Sequence, residues 1–375
     1  MAYSKEDITN VAIGSALLGS GGGGSFTDSL SILNDVPSDY QADVKTVDNF
    51  DQNDGHAVVA FLGSPSAGEN LTLSDVSQAL KNTIEQLTKL TDYPRGIQAY
   101  TAGETGATNM VVPLLVPLAL GDTQNLFVVD GDGAGRAVPK IDQVTYASTI
   151  PISPVVLANN QMGDQAITVD LNVSSPSIAE VVSRGVASSG SLGAFVGIGL
   201  YSEASSEKLA DAILAGTIGQ ARELGAYMQQ AKRSTSDIAS FISNTLKRES
   251  TLIVQGTLES ISQTTSGGFD VGQVIIKDNN SGDIYTIYNL NENLIMYNNA
   301  SPSPVVVAPD SICYYSEDTG RSFSNAMDDI NPYLNKTISA IKIAAIPKFA
   351  SQQGIIESFR TTVQSIGYAG KLPLD

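Results

Sequence analysis

The sequence predicts an α/β N-terminal domain with a mostly parallel sheet, followed by a C-terminal α+β domain that contains a small β-barrel-like unit. Three observations support this prediction. The chain has 375 residues, which is longer than a typical domain with a single hydrophobic core. Buried-strand runs alternate with amphipathic helices in the first half, and this is typical of a parallel sheet covered on both faces. Short strands separated by turn residues follow residue 251 and indicate a curled sheet or barrel.

The predicted first domain covers residues 1–170. Apolar residues at helical spacing predict a helix over 8–18 that ends at the glycine-rich run 19–25. Three strands then alternate with helices, and each strand is followed by a glycine-rich loop. Ligands of open α/β sheets bind beyond the carboxyl ends of the strands, so these loops are candidate ligand loops. The predicted strands, each with its loop, are 57–62 with 63–68, 97–100 with 101–106, and 126–129 with 130–136.

The predicted second domain is helical first and β-rich afterwards. An apolar stripe predicts one long helix over 207–232. Gly216 and Gly219 lie inside this stripe and indicate close packing against another helix, or an interruption after which a second segment begins near Thr217. The expected extents are residues 171–375 for the domain, 205–247 for its helical part and 251–310 for its β-rich part.

Charge and composition restrict the partners. The formal net charge is −18, and such a field repels nucleic acid and anionic membrane surfaces. No apolar run reaches membrane-spanning length, and the polar N-terminal residues do not form a signal peptide. A single cysteine excludes an internal disulfide. We therefore expect a cytoplasmic protein that binds a small-molecule substrate, as a monomer or a homo-oligomer, without nucleic acid or membrane.

The low number of histidine and cysteine residues restricts the metal centres and catalytic triads that the chain can form. The chain has one histidine, His56, and one cysteine, Cys313. Zinc and iron–sulfur centres need several such ligands, so we expect no transition metal and no cofactor. A Ser-His-Asp triad would have to use His56, which comes directly before a buried-strand run and is expected to be structural.

Glu104 is the first candidate catalytic residue. It lies between Gly103 and Thr105 in a strand-end loop, and Asn109 follows shortly afterwards. Glycine lets the backbone approach a ligand closely, and a carboxylate there can act as general base or accept hydrogen bonds from a ring amide. Thr105 and Asn109 are expected to bind substrate. The alternative is structural: Glu104 supports the following helix, which Thr108 or Asn109 would cap.

The loop after the third strand carries two further candidates, Asp130 and Asp132. Two carboxylates in one loop can share a proton, hold a cation or position a water. Arg136 can neutralise them or bind an anion. The alternative is a turn closed by a salt bridge. Because adjacent parallel strands deliver their loops to one edge of the sheet, we expect these residues to line one pocket with Glu104. Gly22 and Gly23 are expected to contact substrate at the same pocket.

Several of these segments resemble, in order, the S-methyl-thiohydantoin desulfurase (DUF917) family. The resemblance implies an α/β N-terminal domain, a C-terminal domain with a β-barrel-like part, and a link to hydantoin or thiohydantoin metabolism. The sequence departs from the family pattern at Val138 and Lys140. The similar segments are 18–24, 102–109, 130–139, 216–223, 265–269, 291–294, 309–312, 318–320 and 366–368.

The residues and the resemblance leave three functions open. The first is an enzyme that removes or hydrolyses a sulfur substituent on a small cyclic amide of the hydantoin or thiohydantoin type. The second is a non-catalytic ligand-binding or partner subunit of a hydantoinase-like assembly. The third is a hydrolase in which Glu104, Asp130 and Asp132 hold a hard cation.

Overall fold

Two sheets organise the chain and confirm the predicted fold class. A computed structural model describes residues 1–49, 53–63, 71–193 and 195–373. The first sheet has eight strands and the second has seven, and a two-stranded sheet lies apart from both. Most of the glycine-rich loop predicted at 63–68 lies outside the described residues.

The helices and strands follow one another along the whole described chain. No helix in the described ranges is long and apolar enough to cross a membrane. The α-helices are α1 (Lys5–Leu18), α2 (Phe26–Asp35), α3 (Leu73–Leu90), α4 (Val112–Leu120), α5 (Pro176–Ser188), α6 (Ser206–Ala212), α7 (Thr217–Gln230), α8 (Thr235–Asn244), α9 (Met327–Ile330), α10 (Pro347–Ala350) and α11 (Gln353–Ser365). The strands are β1 (Ala2–Ser4), β2 (Gln41–Lys45), β3 (Gly55–Leu62), β4 (Ile97–Ala102), β5 (Phe127–Val129), β6 (Gly131–Asp132), β7 (Val155–Ala158), β8 (Thr168–Leu171), β9 (Val196–Glu203), β10 (Leu214–Ala215), β11 (Ser250–Ser266), β12 (Phe269–Asp278), β13 (Ile284–Leu290), β14 (Glu292–Asn298), β15 (Pro304–Val307), β16 (Ser311–Tyr315) and β17 (Thr337–Ile343).

The first sheet has the order β1-β2-β5-β4-β3-β9-β7-β8. The strands β2, β5, β4 and β3 run parallel to one another, and β9, β7 and β8 add antiparallel strands beyond β3. Strand β3 is buried on both faces: Ala57 and Val59 belong to the core that also holds α3, and Val58 belongs to the core on the other face. The strand β9 lies beyond residue 170 in the chain and still completes this sheet.

Helices α1 and α7 pack with their backbones in contact. A Cβ atom added to Gly14 would lie 1.8 Å from the carbonyl oxygen of Ala221, and one added to Gly225 would lie 1.9 Å from the carbonyl oxygen of Asn10. Distances this short leave no room for any side chain at either glycine. The two glycines therefore set the separation of the helices, which belong to the core beneath the first sheet.

The single helix predicted over 207–232 is wrong, and the interrupted alternative is correct. Strand β10 separates α6 from α7 and pairs with β6. Gly216 has φ 84°, and its N–H donates to the carbonyl of Asp130 at 2.9 Å. Because this segment hydrogen-bonds to the loop after β5, its backbone groups cannot continue a helical ladder. The second helix begins at Thr217.

The second sheet is antiparallel and curled, with the order β15-β14-β13-β12-β11-β17-β16. Strand β11 has 17 residues and pairs with both β12 and β17. Its register shifts between Leu258 and Ser260 and again between Leu252 and Val254, and such bulges bend a strand and increase its twist. The β-rich part extends past residue 310 through β16 and β17. The predicted barrel-like unit is thus a curled half-barrel.

We predict that Gly225→Ala destabilises the protein by about 1–3 kcal/mol, because the new methyl group would push α1 away from α7. Gly185→Ala is the matched control, since Gly185 also lies inside a helix and a Cβ there meets nothing within 4 Å. That control should stabilise the protein by about 0.4–1 kcal/mol. Chemical denaturation measures both, and equal effects of the two substitutions would contradict the close helix contact.

Candidate functional site

A cavity of about 120 Å³ lies at the carboxyl ends of β3 and β4. Much of its lining is apolar, and its charged lining residues are Asp28, Glu104, Lys140, Arg184 and Glu292. Aromatic side chains contribute to the apolar wall, where the ring centroids of Phe61 and Phe195 lie 3.9 Å apart. Among the residues of the apolar wall are Val58, Leu71, Val144, Ile198 and Leu200. A partly open cavity of this kind suits a small, partly apolar ligand with a few polar groups.

Glu104 lies at the polar side of the cavity, in the loop that follows β4. Its Oε1 accepts a hydrogen bond from Nδ2 of Asn109 at 2.7 Å, and its Oε2 accepts one from the backbone N–H of Val138. Burial raises the pKa of the Glu104 carboxyl to about 7, and the two hydrogen bonds hold it below a still higher value. A carboxyl group with this pKa can take up and release a proton at neutral pH.

Asn109 fixes the position of Glu104. Its Oδ1 accepts a hydrogen bond from the backbone N–H of Phe61 at 3.2 Å while its Nδ2 donates to Glu104. One amide therefore connects the end of β3 to the loop after β4. Helix α4 begins later, with Val111 at its N-cap and no side-chain cap, so Asn109 does not serve as the helix cap.

The glycine-rich run before α2 forms another side of the cavity. Gly23 lines the cavity, and its carbonyl accepts hydrogen bonds from the N–H groups of Thr108 and Asn109 at 3.0 and 3.3 Å. Gly22 does not line it. A Cβ at Gly22 would lie 2.3 Å from Oε1 of Glu292, so only glycine lets this run pack against that carboxyl.

Glu292, the first residue of β14, is a cavity residue that the sequence analysis did not nominate. It is 3% exposed, and its Oε2 has no hydrogen-bond partner among the described residues. Burial, and next the negative charge of Glu104, raise the pKa of Glu292 well above its ordinary value. Its only sequence signal is an acidic residue between Asn291 and Asn293 at the start of an apolar strand.

The two aspartates lie outside the cavity, with Thr105. Asp132 accepts hydrogen bonds from the hydroxyl groups of Thr105 at 2.7 Å and Thr217 at 3.0 Å, and from the N–H of Gly135. Burial raises the pKa of Asp132 to about 6. Asp130 accepts a hydrogen bond from the N–H of Gly219 at 3.0 Å, in the first turn of α7. Both side chains thereby hold neighbouring loops and α7 together.

Arg136 also lies outside the cavity, and it connects the two sheets. It is 3% exposed, and its guanidinium donates to the carbonyl groups of Ala137, Asn293, Pro309 and Asp310 rather than to Asp130 or Asp132. Its positive charge lowers the pKa of Glu104 and of Glu292. Of the nominated residues, Gly23, Glu104 and Asn109 thus line the cavity, and the others, Gly22, Thr105, Asp130, Asp132 and Arg136, support its walls.

The single histidine lies apart from the cavity. His56 is fully buried, and its Nε2 lies 2.7 Å from the hydroxyl of Thr101. Burial lowers the pKa of His56 to about 3, so the ring is neutral. Within the described ranges, no three histidine, cysteine or carboxylate side chains are grouped closely enough to hold a metal ion.

We predict that the stability of Glu104→Gln relative to the wild type rises between acidic and neutral pH. This rise is added to a cost that does not depend on pH, because the new amide N–H₂ faces the N–H of Val138 or the Nδ2 of Asn109. Glu104 has a pKa of about 7 in the folded protein and about 4.5 in the unfolded chain. Below about 4.5 the group is protonated in both states and has no effect. As the pH rises to 7, only the unfolded chain ionises, so the wild type loses stability on the order of 3 kcal/mol that the variant does not lose. Denaturant unfolding at both pH values measures this difference, and a difference that does not change with pH would contradict the raised pKa.

Comparison with known proteins agrees with the fold and with the order of the two domains. The S-Me-THD-like N-terminal domain matches residues 6–169, and the S-Me-THD-like C-terminal domain matches residues 174–356. A crystal structure of a protein from Chromobacterium violaceum is similar to the chain, with a TM-score of 0.82, 24% identity and 99% of each chain covered; at this identity the likeness concerns the fold alone. No curated protein matches. Since the two family models follow one another along nearly the whole sequence, the chain belongs to the S-Me-THD-like family.

Proposed function

We propose that the chain is an enzyme that hydrolyses the sulfur substituent of a small cyclic amide of the thiohydantoin type. The observation that carries this proposal is Glu104: a partly buried carboxyl group at the polar side of a largely apolar cavity, with a pKa of about 7 and both oxygens held in place. A general base works best when its pKa lies near the pH at which it operates. Membership of the S-Me-THD-like family supports the choice of substrate class.

In the proposed reaction, a water molecule adds to the ring carbon that bears the sulfur, and Glu104 takes a proton from that water. The apolar wall around Phe61 and Phe195 would hold the ring and exclude bulk water. Lys140 and Arg184 both line the cavity. The guanidinium of Arg184 already donates to Glu180 and to two backbone carbonyl groups, so the half-buried Lys140 would be the cation that meets negative charge on the ring. Arg136 would act through its electric field, because its hydrogen bonds are already directed to backbone carbonyls.

The aspartates take positioning roles in this proposal. Asp132 joins the loop that carries Glu104 to the loop after β5 through Thr105. Asp130 holds the start of α7 against the same loop. Neither carboxyl group lines the cavity, so each would act on turnover through the placement of Glu104.

We predict that Glu104→Gln keeps the fold and lowers turnover of S-methyl-thiohydantoins by about 10²- to 10⁴-fold, because it removes the base and keeps the side-chain shape. Released thiol measures the rate across a panel of ring substituents. Glu85→Gln, at an exposed position on α3, is the control and should leave the rate unchanged. Full activity of Glu104→Gln would exclude Glu104 as the base. Tight hydantoin binding without turnover by the wild type would instead favour a non-catalytic binding subunit.

We predict that Asp132→Asn lowers both kcat and the unfolding midpoint. It should move the acidic midpoint of the pH–rate profile to lower pH without removing it, because the negative charge of Asp132 raises the pKa of Glu104. The substitution exchanges an acceptor for a donor that faces other donors, which costs about 1–3 kcal/mol at a buried site. The pH–rate profile separates a positioning residue from a proton-transferring one. Loss of the acidic midpoint in Asp132→Asn would contradict the positioning role.

A further inference from the structure

Glu292 reaches the cavity from the second sheet because its turn is held rigidly. The preceding residue, Asn291, has φ 57°, which is an uncommon conformation for a residue with a side chain. Two hydrogen bonds fix that residue against Asp270: the N–H of Asn291 donates to the Asp270 carbonyl at 2.7 Å, and its Oδ1 accepts from the Asp270 N–H at 2.8 Å. Gly22 packs against the carboxyl group of Glu292, and a Cβ atom at Gly22 would collide with its Oε1.

Glu292 and Glu104 differ in the hydrogen-bond donors around their carboxyl oxygens, and this difference decides which of the two groups holds a proton. Both oxygens of Glu104 accept hydrogen bonds, and such donors favour the ionised form. Oε2 of Glu292 has no donor among the described residues and is buried at the cavity wall, which favours the neutral acid. The positive charges of Arg136 and Arg184 favour the ionised form of Glu292, and Lys140 and Asp28 also line the cavity. Burial and the negative charge of Glu104 outweigh the two arginines and raise the pKa of Glu292.

We propose that Glu292 is a second catalytic residue, the general acid that works opposite Glu104 as general base. This inference rests on the proposed hydrolysis. A carboxylic acid kept neutral beside an ionised one is the arrangement by which enzymes divide acid and base roles between two like groups. The proton donor therefore comes from the second sheet and the proton acceptor from the first, and the substrate ring lies between them.

The step balances without any further reactant. As the water oxygen bonds to the ring carbon, Glu104 takes one proton from the water and Glu292 gives its proton to the ring nitrogen. When the intermediate collapses, its hydroxyl proton passes to Glu292 and a C=O bond forms. The carbon–sulfur bond breaks at the same time, and Glu104 gives its proton to the departing thiolate. Hydantoin and a thiol leave, and both carboxyl groups end as they began.

The first test is the pH–rate profile of Glu292→Gln, a substitution that keeps the size of the side chain. We expect the wild type to lose activity at alkaline pH as Glu292 ionises. In the variant, the rate should be about 10²- to 10⁴-fold lower and should no longer fall at alkaline pH. The midpoint of the acidic limb of its pH–rate profile should stay as in the wild type. Glu259→Gln, at an exposed position on the same sheet, is the control and should show the wild-type profile. An alkaline limb that persists in Glu292→Gln would overturn the proposal.

The second test needs no turnover. At a pH above the Glu104 pKa of about 7, the infrared spectrum of the wild type should still contain the carbonyl stretch of a protonated carboxyl group, and this band should be missing in Glu292→Gln. Identical spectra would overturn the proposal, whatever the activity. If no thiohydantoin is turned over by the wild type, the hydrolysis and the acid role fail together, and the infrared difference alone then decides whether Glu292 holds a proton.

Discussion

The guanidinium of Arg136 is buried between the two sheets, and much of the structure depends on how its charge is satisfied. Arg136 lies in the loop after β5. Its guanidinium donates to the carbonyl groups of Asn293, Pro309 and Asp310, which lie in the second sheet and its connections. A buried cation without such partners is costly, so the two sheets are held in one relative position. The same contacts place the start of β14 beside the cavity. The charge of Arg136 therefore links the assembly of the two halves to the chemistry between them.

The carboxyl groups of Glu104 and Glu292 share a largely apolar cavity, and the buried charge of Arg136 lies close to both. In such a medium, the position of each hydrogen-bond donor decides which carboxyl group carries the negative charge. The donors around Glu104 come from Asn109 and the backbone at Val138, and Glu292 has no equivalent at its Oε2 among the described residues. In the proposed reaction, this asymmetry is what would make Glu104 the base and Glu292 the acid. The difference between the two groups exists only while the donors around Glu104 stay in place.

Much of this structure could be predicted from the sequence, and the parts that could not share a physical cause. The segments that form β3, β4 and β5 are short buried-strand runs followed by glycine-rich loops, so these strands and the loop carrying Glu104 and Asn109 were predictable. Strand β9 joins the first sheet from beyond the expected boundary, and Gly216 breaks a helix because it pairs with a distant loop. The direction of a side chain depends on tertiary contacts too. Hence Asp132 was predicted at the pocket but lies behind it, and Glu292 was missed because the turn that carries it approaches Glu104 only in the folded protein.

In the proposed complex, a small cyclic amide binds in the cavity with Glu104 on one side and Glu292 on the other. A crystal structure of the protein with bound hydantoin, the proposed product, is the decisive measurement. We expect the ring to lie against Phe61 and Phe195, with its polar atoms within hydrogen-bond distance of both carboxyl groups. A hydantoin bound elsewhere, or no hydantoin in the cavity at saturating concentration, would rule out this mode of binding.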